Sequence, residues 1–505
     1  MSDIMVPTSR PSPPLPDVRS SAVRGLRWTA VKEWVQQGTS VVVLLVLARL
    51  LSPADFGTVA IAGSIAAILS ALQRQGFATA LVQRDQCDPL HLDSAYWATL
   101  AISAILAAVL LMAAPSIARL YGEPVLASIL YVSGAILIVQ ALASVHGAIL
   151  QRTLQFRRLA FIGVASALVS AAVAVAFALA GYGLWSMVFQ QVAGTVISAA
   201  MLWRLSSWRP RARFSLTHLR ELWHFGIYVL GSNLVLEIGK RIDALLLGYL
   251  LNTSAVGLYS VGRRVVEMII AVLMKALGSV TFPTFSRIQN DPIRLAGAVL
   301  STIRMVGFIA FPTFLLTAVL APYVVRTFLG VKWLEGAPVL SLLALGAAIG
   351  SVQWIQMSAV LAKGRSDWRL GVNIAALALS ILAVVVGHPY GIVAVAALLA
   401  ARQLILFPVG ASLAGRLIPL RLGETIRELT GPLAAAIIAA ATAAFVIRSI
   451  AETGDATTLA AASALAAGAL TGVLVYLGCS WLLARRHLLQ ATQLAKGLLG
   501  RGKPA

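Results

Sequence analysis

The 505-residue chain contains few charged residues and almost no cysteine. Only 12% of its residues are charged, about half the share of an ordinary soluble domain. By contrast, 59% are hydrophobic and the mean hydropathy is +0.87. The two cysteines, Cys87 and Cys479, lie far apart, which excludes a disulfide framework and a CxxC metal site. These shortages are typical of a membrane protein rather than of a soluble one.

Long polar segments are also scarce, because apolar runs recur almost throughout the chain. A helix of about 20 residues crosses the roughly 30 Å hydrocarbon core of a bilayer, so each run can span a membrane. The longest connection predicted on the outside, 322–336, is too short for a catalytic domain. We therefore predict an all-α integral membrane protein with about 14 transmembrane helices. The predicted spans are 28–48, 56–78, 94–114, 125–149, 159–180, 183–203, 222–249, 256–279, 299–321, 337–362, 369–387, 391–414, 430–448 and 458–483.

Acidic residues are few, since 19 Asp and Glu residues oppose 40 Lys and Arg residues and leave a formal net charge of +21. In a soluble chain this surplus would suggest binding to nucleic acid. Cytoplasmic loops of membrane proteins carry an excess of Lys and Arg, however. Most basic residues of this chain fall in predicted cytoplasmic loops if the N-terminus is inside. We therefore expect both termini in the cytoplasm and no nucleic-acid partner.

Some basic residues lie inside or at the edges of predicted spans, where no loop explains them. They are Lys32, Lys240, Arg241, Arg263, Arg264, Lys275, Arg304 and Arg402. Each central charge costs about 2.5–3.5 kcal/mol in a membrane, so these side chains must face a wet interior or pair with acids. The acids in the predicted spans are Glu33, Glu237, Asp243 and Glu267. They are too few to neutralise the basic residues, and an excess of positive charge suits an anionic substrate.

Helical spacing places many of these charges on common faces. Glu237 lies three and four residues before Lys240 and Arg241, and Glu267 lies four residues after Arg263. The same spacing allows the charges to pair within or between helices, so pairing stays an alternative to substrate binding. Lys32, Lys275 and Arg402 could instead extend toward a membrane interface. The four acids are candidates for proton or sodium coupling, with simple pairing again as the alternative.

Two segments of the chain resemble each other at an offset of 200 residues. Residues 50–59 (LLSPADFGTV) align with residues 250–259 (LLNTSAVGLY), and each segment is predicted to form a tight turn between two spans. Gly57 and Gly257 occupy the same position in the two turns. Six predicted spans separate the turns, so the two halves would share one orientation about an axis along the membrane normal. A transporter with a cavity between two lobes follows from this arrangement.

Residues 48–57 (ARLLSPADFG) carry a family resemblance. This segment resembles the signature of Wzx-type flippases, the polysaccharide-exporting branch of the multidrug/oligosaccharidyl-lipid/polysaccharide exporter superfamily. Further segments similar to that family are 154–160 (LQFRRLA), 181–186 (GYGLWS), 241–259, 282–287 (FPTFSR) and 329–333 (LGVKW). The likeness extends over about 24–410, whereas the last two spans resemble nothing specific.

The resemblance implies two six-helix lobes related by a pseudo-twofold axis along the membrane normal, followed by two trailing helices. The implied divisions are a disordered basic cytoplasmic tail (1–24), an N-lobe (25–210), a C-lobe (211–420), the trailing helices (421–485) and a cytoplasmic tail (486–505). It also implies that the protein flips undecaprenyl-pyrophosphate-linked oligosaccharide units across the bacterial inner membrane for exopolysaccharide or lipopolysaccharide biosynthesis. Its partners would be this lipid-linked substrate, membrane lipids and other polysaccharide assembly proteins.

Within that interpretation, basic residues of the spans would bind the substrate. Lys240, Arg241, Arg263 and Arg264 would hold the pyrophosphate, because Arg side chains bind phosphate oxygens with two parallel hydrogen bonds. Arg304, Arg402 and Lys32 are further substrate-binding candidates, the two arginines for guiding the glycan.

Two other functions are consistent with a membrane protein of this composition. A drug or metabolite:cation antiporter of the same superfamily would have an aromatic, acid-lined cavity, whereas these spans are more basic than acidic. A membrane polysaccharide polymerase or ligase would need a large external loop, which the predicted topology lacks. We expect no enzyme activity and no cofactor. We also expect no metal site, because the six histidines are scattered without metal-ligand spacing.

Overall fold

The computed structural model describes residues 18–74, 77–83, 88–453 and 458–483. Most of the predicted tails at 1–24 and 486–505, together with Cys87, lie outside these residues, as does the side chain of Lys275. Secondary structure in the described ranges is entirely helical. The helices are α1 (Val18–Leu50), α2 (Pro53–Arg74), α3 (Phe77–Gln83), α4 (Pro89–Tyr121), α5 (Pro124–Arg152), α6 (Phe156–Leu179), α7 (Trp185–Leu205), α8 (Leu216–Leu250), α9 (Thr253–Arg287), α10 (Pro292–Val324), α11 (Ala337–Ala362), α12 (Ser366–Gly387), α13 (Ile392–Gly415), α14 (Leu422–Thr453) and α15 (Thr458–Leu483).

These helices confirm an all-α membrane protein. Of the helices in the described ranges, 11 are long and apolar enough to cross a membrane. The other long helices are α1, α8 and α9, the three that carry most of the predicted intramembrane charges. Together they are consistent with the predicted number of spans, and α3 is a short extra helix of 7 residues. A π-helical turn (Val325–Leu329) and a 3₁₀ turn (Val331–Gly336) connect α10 to α11.

The two segments that repeat at an offset of 200 residues form matching turns, α1–α2 and α8–α9. Each turn is capped by a polar side chain that accepts a hydrogen bond from the start of the next helix. The Asn252 side chain accepts from the Ala255 amide at 2.8 Å, and the Ser52 hydroxyl accepts from the Asp55 amide at 3.2 Å. We call the end of the helix bundle that contains these turns the corner end. We call α1–α7 the N-lobe and α8–α13 the C-lobe.

Gly57 and Gly257 bring the two lobes into direct backbone contact at the corner end. A Cβ atom on Gly57 would lie 1.7 Å from the carbonyl oxygen of Thr253, and one on Gly257 would lie 1.8 Å from that of Pro53. The offset of 200 pairs Thr253 with Pro53, so each glycine contacts the equivalent residue of the other lobe. This reciprocity is what a twofold axis passing between α2 and α9 requires.

The turn between α10 and α11 adds a second contact at the corner end. Trp333 is 1% exposed, its indole N–H donates to the Ala48 carbonyl at 2.8 Å, and its ring meets Phe56 edge-on at 5.1 Å. The Arg49 guanidinium donates to the Thr327 carbonyl at 2.6 Å, and the Lys332 ammonium donates to the Arg49 carbonyl at 3.2 Å. The N-lobe and C-lobe are therefore closed against each other at this end.

Candidate functional site

The candidate site is a cavity of about 290 Å³ between the lobes, lined by α1, α2, α7, α8 and α9. Its charged lining residues are Lys240, Arg241, Arg263, Arg264 and Glu267. All four residues predicted to hold a pyrophosphate thus meet in one cavity. They meet because the polar face of α8 and the polar face of α9 both turn toward α1 and α2 rather than toward lipid.

Some of these charges pair within their own helix. Glu237 accepts from the Arg241 Nε at 3.0 Å and lies 3.6 Å from the Lys240 Nζ, while the Arg263 Nε donates to Glu267 at 2.8 Å. The pairings that the helical spacing allows, of Glu237 with its two neighbours and of Arg263 with Glu267, are therefore both formed. Each joins residues three or four apart on one helix, so neither of them holds two helices together.

Asp243 makes the contact that joins α8 to α9. It is 3% exposed, and its Oδ2 accepts from the Tyr259 hydroxyl at 2.8 Å and from the Arg263 Nη1 at 3.4 Å. Its Oδ1 is buried and has no hydrogen-bond partner within the described part of the chain. The carboxylate thereby orients Arg263 toward the cavity. Sequence reasoning missed Tyr259, although its position four residues before Arg263 places both on one helical face.

Arg264 and Lys240 carry the most accessible positive charge of the site. Arg264 is exposed and its Nη2 donates to the Ser40 hydroxyl of α1 at 2.5 Å. Among the described residues it has no carboxylate partner. The side chain of Lys240 is 60% exposed, although Glu237 lies nearby. Because Arg264 is not neutralised by an acid, it can offer its guanidinium to an incoming anion.

Lys32 and Glu33 lie beside this cavity in two adjoining spaces. Lys32 lines a cavity of about 980 Å³ inside the N-lobe, and its alkyl chain packs over Gly163 of α6. Its ammonium makes no ion pair or hydrogen bond with the residues that the structure describes. Glu33 lines a cleft of about 560 Å³ between α1 and α9, next to the largely exposed Trp34. Ser40 borders all three spaces, so they adjoin one another.

Arg304 and Arg402 lie outside the lining of the 290 Å³ cavity. Arg304 makes two hydrogen bonds of 2.7 Å to Glu428 of α14, and Arg402 donates to the Ser380 hydroxyl of α12. The predicted spans omitted one acid. The thirteenth span was expected to begin at residue 430, whereas α14 begins at Leu422 and therefore carries Glu428 into the bundle. A role of Arg304 and Arg402 in guiding a glycan stays a prediction.

We expect Glu428→Gln to lower the free energy of unfolding by about 1–3 kcal/mol, because the Arg304 guanidinium would lose its charged partner between α10 and α14. Thermal unfolding of the purified protein measures this loss. Arg294→Gln is the matched control, since Arg294 pairs with Asp291 on the surface and such pairs contribute little. Equal effects of the two changes, or weakened substrate binding with unchanged stability, would contradict a purely anchoring role.

The structure also brings together two histidines that are far apart in sequence. The rings of His91 (α4) and His218 (α8) have centroids 4.4 Å apart, and their nitrogens lie within 4.8 Å of an Asp88 oxygen. The His91 Nδ1 accepts from the Asp88 amide at 3.3 Å, and its Nε2 lies 3.4 Å from Glu221. Both ring nitrogens are thus engaged, and this cluster ties α4 to α8. Local spacing in the sequence carried no signal for it.

Comparison with known proteins agrees with this architecture. A family profile described as "Polysaccharide biosynthesis protein" matches residues 46–338. The succinoglycan biosynthesis transport protein ExoT of Rhizobium meliloti (strain 1021) is 29% identical over 337 residues, which are 66% of this chain and 68% of ExoT. The lipopolysaccharide biosynthesis protein WzxC of Escherichia coli (strain K12) is 24% identical over 376 residues, 73% of this chain and 76% of WzxC.

A solved structure shares the fold. The lipid II flippase MurJ, in an inward closed conformation, superposes with a TM-score of 0.71 at 13% sequence identity, covering 91% of this chain and 99% of MurJ. At this identity the match concerns the fold alone, and it confirms the two-lobe architecture. The resemblance to Wzx-type proteins is also confirmed, because the family profile covers more than half of the chain. The chain therefore belongs to the polysaccharide biosynthesis protein family.

Proposed function

We propose that this protein is a flippase that carries undecaprenyl-pyrophosphate-linked oligosaccharide units outward across the bacterial inner membrane. One observation carries the proposal: four basic side chains from α8 and α9 converge on one cavity between the lobes of a membrane protein. A pyrophosphate is the anion that such an arrangement suits, because Arg forks match phosphate oxygens. Membership of the family and the names of its relatives, a succinoglycan transport protein and a lipopolysaccharide biosynthesis protein, support the choice of substrate.

The proposed orientation places both termini in the cytoplasm, because predicted cytoplasmic loops hold most of the Lys and Arg residues. The corner end then faces outward and is closed, while the cavity of 980 Å³ lies in the cytoplasmic half of the N-lobe. The pyrophosphate would bind Arg263 and Arg264, and the cleft between α1 and α9 would leave the lipid tail in the bilayer. Rocking of the lobes would then open the corner end and release the glycan outside.

In this role the protein transports its substrate without making or breaking covalent bonds, and it acts together with other polysaccharide assembly proteins. Glu33, Glu237, Asp243 and Glu267 are proposed for coupling transport to protons or sodium. Asp243 is the foremost of them, because one of its carboxylate oxygens is buried without a partner among the described residues. A cation that displaced Arg263 from Asp243 would free the guanidinium for the substrate.

Deleting the gene tests this function directly. We expect the lipid-linked glycan to accumulate on the cytoplasmic leaflet, since the step that exposes it outside would be missing. Periodate does not cross an intact membrane. Comparing oxidation of the glycan in spheroplasts before and after lysis therefore measures how much of the glycan lies on each leaflet. Expression of the wild-type chain in the deletion strain is the control and should restore outside exposure. Accumulation of oxidisable glycan on intact spheroplasts would instead indicate a polymerase or ligase.

A further inference from the structure

The cavity inside the N-lobe differs in chemistry from the charged cavity beside it. Its volume of about 980 Å³ is bounded by α1, α2, α3, α4, α5, α6 and α7. Carboxamides and hydroxyls supply its polar lining, and Lys32 is the single charged residue among the described residues that line it. The carboxamides belong to Gln36, Gln73, Gln140, Gln151 and Gln190. Burying five carboxamides around one cavity within the membrane costs free energy unless they form hydrogen bonds, so we expect them to bind something polar.

Helical periodicity builds this lining from several faces. On α5, Gln140, Ser144 and Gln151 are separated by four and seven residues, so all three project from one side of the helix. On α7, Gln190 and Ser198 are eight residues apart and share a side in the same way. The opposite sides of these helices are largely apolar, with His146 of α5 as an exception. The polar faces of the two helices therefore both point into the cavity.

Part of this hydrogen-bonding capacity is not used by the protein itself. Gln73 is 4% exposed, and its Nε2 donates to the Leu137 carbonyl at 3.1 Å. Its Oε1 is buried and accepts no hydrogen bond from any residue that the structure describes. The Gln140 carboxamide receives one long hydrogen bond, from the Ser70 hydroxyl at 3.4 Å. Buried polar groups are normally satisfied. Gln73 lines the cavity, so a rotation of its carboxamide would present this unused acceptor to a ligand with donors of its own.

We propose that the N-lobe cavity is the glycan compartment of the flippase and that it recognises uncharged sugars through their hydroxyl groups. A carboxamide offers a donor and an acceptor side by side, which matches a pair of neighbouring sugar hydroxyls. The volume lies at the upper end of the roughly 300–1,000 Å³ typical of ligand cavities, so it admits an oligosaccharide. A single cation, Lys32, cannot compensate several carboxylates, which disfavours polyuronic repeat units.

The position of the cavity fits this assignment, which rests on the function proposed above. A sugar is covalently joined to the pyrophosphate, so its compartment must adjoin the phosphate site. Ser40 and Gln190 line both cavities, and the Ser40 hydroxyl accepts a hydrogen bond from Arg264. The substrate would thus be divided between the lobes, with its phosphates on α8 and α9 and its sugars in the N-lobe.

This division of the substrate between a phosphate site and a sugar compartment can be tested by measuring the binding of three synthetic probes to the full-length protein in lipid nanodiscs. The probes are farnesyl pyrophosphate, the same compound linked to cellobiose, and the same compound linked to a diglucuronate. We expect cellobiose to raise the affinity of the wild-type protein about tenfold over farnesyl pyrophosphate, and the diglucuronate to raise it far less. Gln73→Leu combined with Gln140→Leu should abolish the gain from cellobiose and leave the affinity for farnesyl pyrophosphate unchanged.

Two further variants make the result decisive. Gln289→Leu is the matched control, because Gln289 is exposed and lies outside the cavity, and it should keep the full gain. Gln140→Asn shortens one carboxamide without removing its polarity, so it tests the compartment if the double variant does not fold. A cellobiose gain that survives Gln73→Leu combined with Gln140→Leu, or that survives Gln140→Asn, would overturn the glycan compartment, and so would an equal gain from the diglucuronate. Failure of the wild-type protein to bind farnesyl pyrophosphate would instead contradict the proposed function.

Discussion

Replacing Arg263 by Met is expected to destabilise the protein by about 3–5 kcal/mol, because it leaves the Asp243 carboxylate buried without its cationic partner. Tyr259 would still donate one hydrogen bond to that carboxylate, but a hydroxyl does not balance its charge. Thermal unfolding of the purified protein measures the loss. The effect arises inside the α8–α9 contact, so it is independent of any substrate.

Adding Asp243→Asn to Arg263→Met should restore most of the stability, since the uncompensated charge disappears while Asn still accepts from Tyr259. Transport should not return, because the guanidinium proposed to bind the pyrophosphate is still missing. Stability and polymer export are therefore measured on both variants and on the wild-type protein. Recovery of export in the double variant would rule out Arg263 as a phosphate ligand.

Arg264→Met provides the matched comparison. Arg264 has no acidic partner in the described part of the chain, so its removal should leave the stability nearly unchanged. Its loss should nevertheless weaken binding of farnesyl pyrophosphate by at least about tenfold, the typical consequence of losing one charge-assisted contact. Unaltered binding by Arg264→Met would place the anion elsewhere.

Gly57→Ala is expected to prevent the corner end from closing. The added methyl group would lie 1.7 Å from the Thr253 carbonyl oxygen, and a backbone carbonyl cannot move aside as a side chain can. Helices α2 and α9 would have to separate, which we expect to cost at least ~3 kcal/mol in this conformation. Gly257→Ala should act in the same way through Pro53. Polymer export should fall more than tenfold in either variant.

The distance between the lobes at the corner end measures this change directly. Spin labels at Leu50 and Tyr249, both exposed, report it by double electron–electron resonance once Cys87 and Cys479 are replaced by Ser. We expect a longer and broader distance distribution in Gly57→Ala. Gly297→Ala is the control, because its added methyl group meets nothing within 4 Å. An unchanged distribution with normal export would show that the close contact is not required.

The sequence predicted the features that depend on local periodicity. Apolar run length predicted the membrane helices, and spacing of three or four residues predicted the charged faces of α8 and α9. The repeat at 50–59 and 250–259 predicted two related lobes, since an even number of spans separates the turns. Each of these patterns can be recognised within one continuous segment or by comparing two segments of the chain. None of them requires knowledge of how the helices pack.

Features that depend on which helix faces meet could not be predicted in this way. Glu428 was excluded from the bundle by a helix boundary placed eight residues too late, and its partner Arg304 is 124 positions away. The glutamines of the N-lobe cavity are spread over α1, α2, α5 and α7, so only the packing of these helices reveals that they share a space. Glutamine is uncharged, so these residues also went unnoticed in a search for Lys, Arg, Asp and Glu within the predicted spans.

The closure at the corner end has a consequence for the energetics of the transport cycle. Trp333, Arg49 and Lys332 all donate to main-chain carbonyls, two of them in the last turn of α1, where helix carbonyls have no intrahelical partner. When the lobes part, these carbonyls lose their donors and must be hydrated. Opening is therefore a step that takes up water, so osmotic stress, which lowers water activity, would oppose it.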